Sequence, residues 1–213
     1  MTTESPTQAA NANPAVMESA SLQVITWMRT VFVILCGSLF VAICAHISLT
    51  LNFTPIPLSL QDFAVMAIGL FLTPRLAMVT MLAYLAEGAA GLPVFAPGPM
   101  EFAGIAHLIG PTGGYLMAYP TVAAVTSYLW RTGERSYLGA LVSAGAGNLI
   151  LLTLGGAWLA ILTHISPQAV LAEAVMPFVP GDIIKIVLAA FVGNEWYRMG
   201  PAPRRPIQTV KPG

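Results

Sequence analysis

Six apolar stretches follow one another along the chain, and their lengths constrain the fold more than any other feature. They occupy residues 24–51, 59–72, 74–90, 113–130, 137–164 and 182–198. A helix that crosses the hydrocarbon core of a bilayer needs about 17–25 apolar residues, and the second and third stretches are short by this measure. Only 8% of all residues are charged, whereas soluble domains average about 25%. The sequence therefore predicts an all-α integral membrane protein, a bundle of six transmembrane helices.

The two ends of the chain differ in composition from the apolar middle. Residues 1–21 consist mostly of small and polar residues, among them three Thr, three Ser and two Asn, a composition typical of a disordered tail. This tail is too long, and too poor in positive charge at its start, for a cleaved signal peptide. We expect a single six-helix transmembrane domain over residues 22–199 and a second tail over residues 200–213.

Basic residues are placed unevenly around the predicted spans. With six spans and a cytoplasmic N-terminus, the cytoplasmic segments contain Arg29, Arg75, Arg131, Arg135, Arg198, Arg204, Arg205 and Lys211. The three external links contain no Lys or Arg. An excess of positive charge on the cytoplasmic side is the general rule for membrane proteins, so we predict that both termini are cytoplasmic. The net charge is zero, which gives no general attraction to nucleic acid.

Residues 87–115 are rich in glycine and proline, yet most of the other side chains there are apolar or aromatic. Such a stretch does not form a long helix. Irregular backbone near membrane depth is tolerated only where protein buries it or where it lines a cavity. We interpret it as a structured loop over a binding cavity on the outer side, with the helices as walls. Polar residues are predicted to lie in the same outer half, namely Gln61, Asp62, Glu87, Glu101, His107, Asp182 and Lys185.

Lys185 lies inside the sixth apolar stretch, and Asp182 lies on the same helical face. A lysine inside a transmembrane helix costs about 2.5–3.5 kcal/mol and usually faces a cavity. We therefore predict a ligand clamp, in which the ammonium binds an anionic group and the carboxylate accepts N–H donors. The positive N-terminal end of the helix adds to anion binding. Alternatively, Asp182 caps the helix and only neutralises Lys185.

Further candidates for the substrate-binding wall are polar or aromatic. Gln61 is one, and Glu87 is another, although Glu87 suits a wet interfacial position equally well. Three aromatic residues suit the wall around an apolar ring, namely Tyr84, Phe95 and Tyr115. The alternative for each of them is a place in the aromatic belt at the membrane surface. The position of Asp62 at the start of the second helix is explained by the helix dipole alone.

The motifs of several enzyme classes are missing from the sequence. GPTGG at residues 110–114 resembles part of a phosphate-binding loop, but no Gly-Lys-Ser/Thr follows, so ATP is not bound by that device. Neither a nucleophile elbow nor a His-Glu-x-x-His motif occurs. The three histidines lack the spacing of metal ligands. Cys36 and Cys44 share one predicted helix, where we expect them to pack rather than to pair. We predict no catalytic activity, no metal and no cofactor.

Four short runs, taken together and in order, resemble the BioY family. They are TPIPLSLQ at 54–61, GLPVF at 91–95, GPTGGY at 110–115 and PFVPGDIIK at 177–185. The resemblance covers about residues 24–198 and implies the fold of an S component of energy-coupling-factor (ECF) transporters, with high-affinity capture of biotin on the outer side. Its polar motif maps onto Asp182 and Lys185. The chain departs from the family pattern at APGPME, residues 96–101, where family members usually have more glycine and sometimes an arginine.

By the same resemblance, biotin is taken up across the bacterial cytoplasmic membrane with a transmembrane coupling subunit and ATPase subunits. Ser38 and Ala42 are small residues on one helix face that would let another helix approach closely. We predict that this face docks the coupling subunit; packing within the bundle is the alternative. Two other functions remain open, an S component for another water-soluble vitamin and an intramembrane enzyme that uses Glu87, Asp182 or His107.

Overall fold

A computed structural model describes the chain over residues 14–49, 56–97 and 104–199. Within these ranges the backbone forms eight helices and two short strands. The helices are α1 (Pro14–His46), α2 (Gln61–Phe71), α3 (Pro74–Ala89), α4 (Ile105–Ile109), α5 (Gly113–Thr132), α6 (Tyr137–Thr163), α7 (Pro167–Val170) and α8 (Val179–Met199). The strands are β1 (Ser48–Leu49) and β2 (Leu58–Ser59). Six of the helices correspond to the predicted spans, and α4 and α7 are short connecting helices.

Both ends of α1 differ from the prediction. The helix begins at Pro14, so residues 14–21 are helical and the predicted disordered tail is wrong for them; residues 1–13 lie outside the described ranges. Proline suits the first turn of a helix, and the alanine, methionine and leucine that follow are good helix formers. At the other end α1 stops at His46, and β1 pairs antiparallel with β2. The all-α prediction therefore lacks one small pair of strands.

The connection between α6 and α8 is partly helical. It contains α7 and a π-helical turn, Leu171–Val175, of a kind often found at functional sites. α8 then begins at Val179 rather than at residue 182. Proline is tolerated in a first turn because its missing N–H would have no intrahelical partner there, so Pro180 does not delay the helix. Asp182 consequently lies in the first turn of α8.

Helix α5 lies at the centre of the bundle, where it contacts α2, α3 and α6, while α2 also packs against α1 and α8. Glycine permits the closest of these approaches. Gly155 lies against the ring of Tyr115 and Gly114 lies against Trp158, and a Cβ atom at either glycine would overlap the neighbouring ring. Close packing at this end of α5 and α6 fixes where the Tyr115 ring lies.

Large apolar side chains cover the outer surface of the bundle. Trp27 and Phe32 on α1, and Leu149 and Ile161 on α6, are all more than half exposed. Two helical segments of the described chain, Leu22–His46 and Tyr137–Thr163, are long and apolar enough to cross a membrane. Apolar surface of this extent marks contact with a membrane or a partner. The exterior is therefore that of an all-α membrane bundle.

Candidate functional site

A cavity lies between the N-terminal ends of α2, α5 and α8 and the middle of α6. It is lined by Ile56, Pro57, Ser59, Gln61, Asp62, Ala96, His107, Thr112, Tyr115, Leu116, Tyr119, Leu151, Leu152, Phe178 and Asp182. The space between these walls, with the open mouth included, is about 510 Å³. The enclosed interior is only about 40 Å³, enough for a few waters. A larger ligand therefore needs part of the wall to move.

Lys185 joins two of the helices that form this cavity. Its Nζ atom donates to Oδ2 of Asp62 at 2.9 Å and to Oδ1 of Asp182 at 3.1 Å. The second oxygen of each carboxylate is also bonded, because Tyr119 donates its hydroxyl to Asp62 at 3.2 Å and Asn148 donates its amide to Asp182 at 3.1 Å. A buried charge is stable only when it is paired and hydrogen-bonded, and this network meets both conditions. We call these five residues the carboxylate–lysine cluster.

The carboxylates of the cluster face the cavity, and the ammonium does not. Asp62 and Asp182 belong to the cavity wall, whereas Lys185 lies behind it. The side chain of Asp62 is 17% exposed, compared with 5% for Lys185. The predicted pairing of Asp182 with Lys185 is present in the structure. The ammonium is also bonded to a second carboxylate that the clamp hypothesis did not include, so it offers less positive charge to a ligand than predicted.

Two of the other predicted wall residues line the cavity. The side chain of Gln61 is buried there at the start of α2. The ring of Tyr115 forms part of the wall, and its hydroxyl donates to the carbonyl of Ala174 at 2.9 Å. This bond connects α5 to the π-helical turn before α8. Tyr115 therefore both lines the cavity and fixes one of its borders.

Tyr84 and Phe95 lie one layer behind the wall. Tyr84 is completely buried; its hydroxyl donates to the carbonyl of Val94 at 2.7 Å and accepts from Nε2 of Gln61 at 2.8 Å. The ring of Phe95 packs edge-on against Tyr84, with centroids 5.4 Å apart, and also against His107 at 5.1 Å. Neither residue is part of the membrane-surface belt that was the alternative. Tyr84 and Phe95 therefore support Gln61 and the loop after α3.

Two predictions disagree with the structure, the place of Glu87 in the binding wall and the docking face at Ser38 and Ala42. Ser38 donates its hydroxyl to the carboxylate of Glu87, which joins α1 to α3 outside the cavity wall. Ser38 and Ala42 are buried, 1% and 8% exposed. The predicted docking face is therefore wrong. The alternative is the one that the structure shows, since these small residues of α1 pack within the bundle. The predicted polar residue Glu101 lies outside the described ranges.

Sequence reasoning missed three members of the cluster. Asp62 was explained by the helix dipole, although an acid next to Gln61 in an apolar stretch is itself a sign of function. The same sign applies to Asn148, an amide in an otherwise apolar span. No local pattern indicates Tyr119, whose partner Asp62 is far away in the sequence. Only the packing of α2 against α5 brings these two together.

One family model and several related proteins match the sequence of this chain. A model described as "BioY family" matches residues 12–202. A probable biotin transporter BioY of Pyrococcus horikoshii is 39% identical over 161 residues, which are 74% of this chain and 91% of that protein. The biotin transporter BioY of Thermotoga maritima is 36% identical over 153 residues, which are 71% of this chain and 86% of that protein.

The fold also resembles a solved structure. A crystal structure of the S-component for biotin from an ECF-type ABC transporter superposes with a TM-score of 0.74 and 25% sequence identity. The match covers 82% of this chain and 94% of that one.

Proposed function

The chain belongs to the BioY family, and we propose on that premise that it is the biotin-binding S component of an ECF transporter. It captures biotin on the outer side of the cytoplasmic membrane, and partner subunits drive uptake. The observation that carries this proposal is the cavity, which has apolar walls and a pair of carboxylates on one side. Sites of this kind take a mainly apolar ligand that carries a few well-placed polar groups.

The chemical groups of biotin match the apolar walls and the carboxylate pair of this cavity. Its fused rings and aliphatic chain match the apolar walls, which include Leu116, Leu151 and Phe178. Its urea group has two N–H donors that match carboxylate acceptors. The ring system would therefore lie against the wall that contains Asp62 and Asp182.

The carboxylate of biotin then points the other way. Like charges close together in a poorly solvated site repel each other strongly, so the ligand carboxylate avoids the wall with Asp62 and Asp182. The cavity wall also includes His107 and Thr112. Thr112 lies at the N-terminus of α5, about two helical turns before Tyr119, which contacts Asp62. The partial positive charge of a helix N-terminus favours an anion there.

Entry of biotin requires the wall to open, because the enclosed interior is small. Ala96 in the wall belongs to the loop after α3, which is held to α3 by the Tyr84–Val94 bond and by Phe95. The connection between α6 and α8 is held by the bond from the Tyr115 hydroxyl to the carbonyl of Ala174 and by the packing of Val170 and Phe178 in the core. We propose that these two segments move apart to admit biotin and then close over it.

Energy for uptake comes from partner subunits, since the sequence has no phosphate-binding loop for ATP. We propose a transmembrane coupling subunit and ATPase subunits of an ECF transporter as these partners. The distribution of arginine supports cytoplasmic N- and C-termini. The coupling subunit would dock on an exposed apolar face of the bundle, since the face with Ser38 and Ala42 is buried.

Calorimetric titration of the purified protein in nanodiscs tests the proposed function. We expect tight binding of biotin and no binding of thiamine or riboflavin; preference for another vitamin would contradict the proposal. Mass spectrometry of ligand recovered after incubation distinguishes binding from catalysis. Recovery of chemically altered biotin would favour an intramembrane enzyme instead.

A matched variant tests the orientation of biotin. Thr112→Val removes a hydroxyl from the cavity wall at the N-terminus of α5 without changing the side-chain volume much. It should weaken the binding of biotin and leave the binding of biotin methyl ester unchanged. Equal losses for both ligands would contradict the proposed orientation.

A further inference from the structure

The carboxylate–lysine cluster contains one more negative group than positive groups. Lys185 supplies one ammonium, and Asp62 and Asp182 supply two carboxylates. The remaining members, Tyr119 and Asn148, are neutral hydrogen-bond donors. Donors stabilise the surplus charge, but they do not cancel it. The cluster therefore presents the cavity with acceptors and with negative potential.

Asp62 is the member of this cluster that is most open to a ligand. Its side chain is 17% exposed, whereas those of Asp182 and Lys185 are 4% and 5% exposed. A carboxylate has about four acceptor positions, and the described contacts of Asp62 use one at each oxygen. Further acceptor positions are thus available on the cavity side.

Lys185 determines where these acceptors lie. Its ammonium binds one oxygen of each carboxylate, at 2.9 and 3.1 Å, and so it holds the start of α2 and the start of α8 at a fixed separation. A cyclic urea has two N–H donors on the two sides of one carbonyl group. Two carboxylates bonded to one common ammonium lie close enough together to accept the two donors of a single urea.

We infer that Asp62 is a specificity-determining residue that accepts one urea N–H of biotin while Asp182 accepts the other, with Lys185 as the positioning residue for both. This inference rests on the proposed function. It assigns a ligand contact to a residue whose place at a helix start would by itself suggest only a structural role. It also predicts that the site accepts a cation in place of the neutral urea.

The test compares biotin with 2-iminobiotin, in which a guanidinium group replaces the urea. A guanidinium keeps its positive charge at neutral pH. The wild-type protein should bind both ligands. Asp62→Asn removes the surplus negative charge and one acceptor. It should therefore lower the affinity for biotin about tenfold and the affinity for 2-iminobiotin considerably more. The ratio of the two affinities is the readout, because a purely structural role would lower both equally.

Two control variants accompany this comparison. Tyr128→Phe removes a hydroxyl from an exposed position on α5, and Glu195→Gln removes a carboxylate from an exposed ion pair on α8. Both should leave the affinity ratio unchanged. An unchanged ratio in Asp62→Asn, with biotin still bound, would overturn the inference alone. Absence of biotin binding by the wild-type protein would overturn the proposed function as well.

A second measurement needs only the wild-type protein and so does not depend on whether a variant folds. Biotin methylated at either one of its two urea nitrogens lacks one N–H donor. Each of the two isomers should bind about tenfold or more weakly than biotin, because each leaves a carboxylate without its donor. If only one isomer binds more weakly, one carboxylate does not contact the urea and the inference is wrong.

Discussion

The ammonium of Lys185 lies 2.9 Å from the carboxylate of Asp62, a residue 123 positions earlier in the chain. The contact joins α8 to α2 at the cavity. Because both side chains are largely buried, removal of Lys185 leaves two carboxylates without compensation, and removal of Asp62 takes away one of the two partners of the ammonium. Binding of biotin and stability of the bundle therefore depend on the same residues, and experiments on this site have to separate the two effects.

Replacement of Lys185 by methionine should abolish tight binding of biotin and also destabilise the protein. Two carboxylates then remain without the ammonium, and breaking a buried ion pair in this way costs about 3–5 kcal/mol. Thermal unfolding in detergent measures the loss of stability, and calorimetric titration measures binding.

A neutral version of the cluster provides the control for this variant. Lys185→Met combined with Asp62→Asn and Asp182→Asn contains no buried charge, so most of the lost stability should return while biotin binding stays absent. Normal biotin affinity of the Lys185→Met variant would show that Lys185 has no role in the binding site.

Replacement of Ser38 by alanine should lower stability and leave biotin affinity unchanged. Ser38 donates to Glu87 between α1 and α3, and loss of such a bond costs about 1 kcal/mol. Glu87→Gln should likewise change biotin affinity by no more than about twofold. A double-mutant cycle of the two positions measures their coupling, and a large loss of affinity in Glu87→Gln would show that Glu87 contacts the ligand.

Replacement of Gly88 by alanine should weaken biotin binding from a distance. A Cβ atom there would overlap the ring of Phe95, which supports the loop after α3, and overpacking of this kind costs about 1–3 kcal/mol. The control is Gly145→Ala, because a Cβ atom at Gly145 has no neighbour within 4 Å. That variant should gain about 0.5–1 kcal/mol of stability from the lower entropy of the unfolded chain. Similar affinities of the two variants would contradict the supporting role of Phe95.

Replacement of Tyr84 by phenylalanine removes one hydroxyl that serves two partners. Gln61 loses an acceptor and the carbonyl of Val94 loses a donor, and unsatisfied buried groups cost about 1–3 kcal/mol each. We expect lower stability and lower biotin affinity, because Gln61 is part of the cavity wall. Tyr128→Phe, at an exposed tyrosine of α5, should change neither quantity. Unfolding temperatures measured with and without biotin compare the two variants directly.

Local sequence patterns determined the class and the main elements of this protein. Long apolar stretches with few charges require a membrane environment, and proline and glycine end the helices close to where the structure ends them. The predictions for α3, which begins at Pro74, and α5, which begins at Gly113, match at their first residues. An isolated lysine in an apolar span also indicated a polar site, because burial of an ammonium is costly wherever the helix lies.

Only the tertiary structure decided which side chains meet. Asp62, Tyr119 and Asn148 converge on Lys185 and Asp182 from three other helices, and helix periodicity cannot show how one helix is rotated against another. For the same reason a docking face was predicted at Ser38 and Ala42 and a binding wall at Glu87. In the structure Ser38 and Glu87 join α1 to α3, and Ala42 is buried in the core. Periodicity is a property of one helix, whereas a binding site depends on the relative rotation and position of several helices.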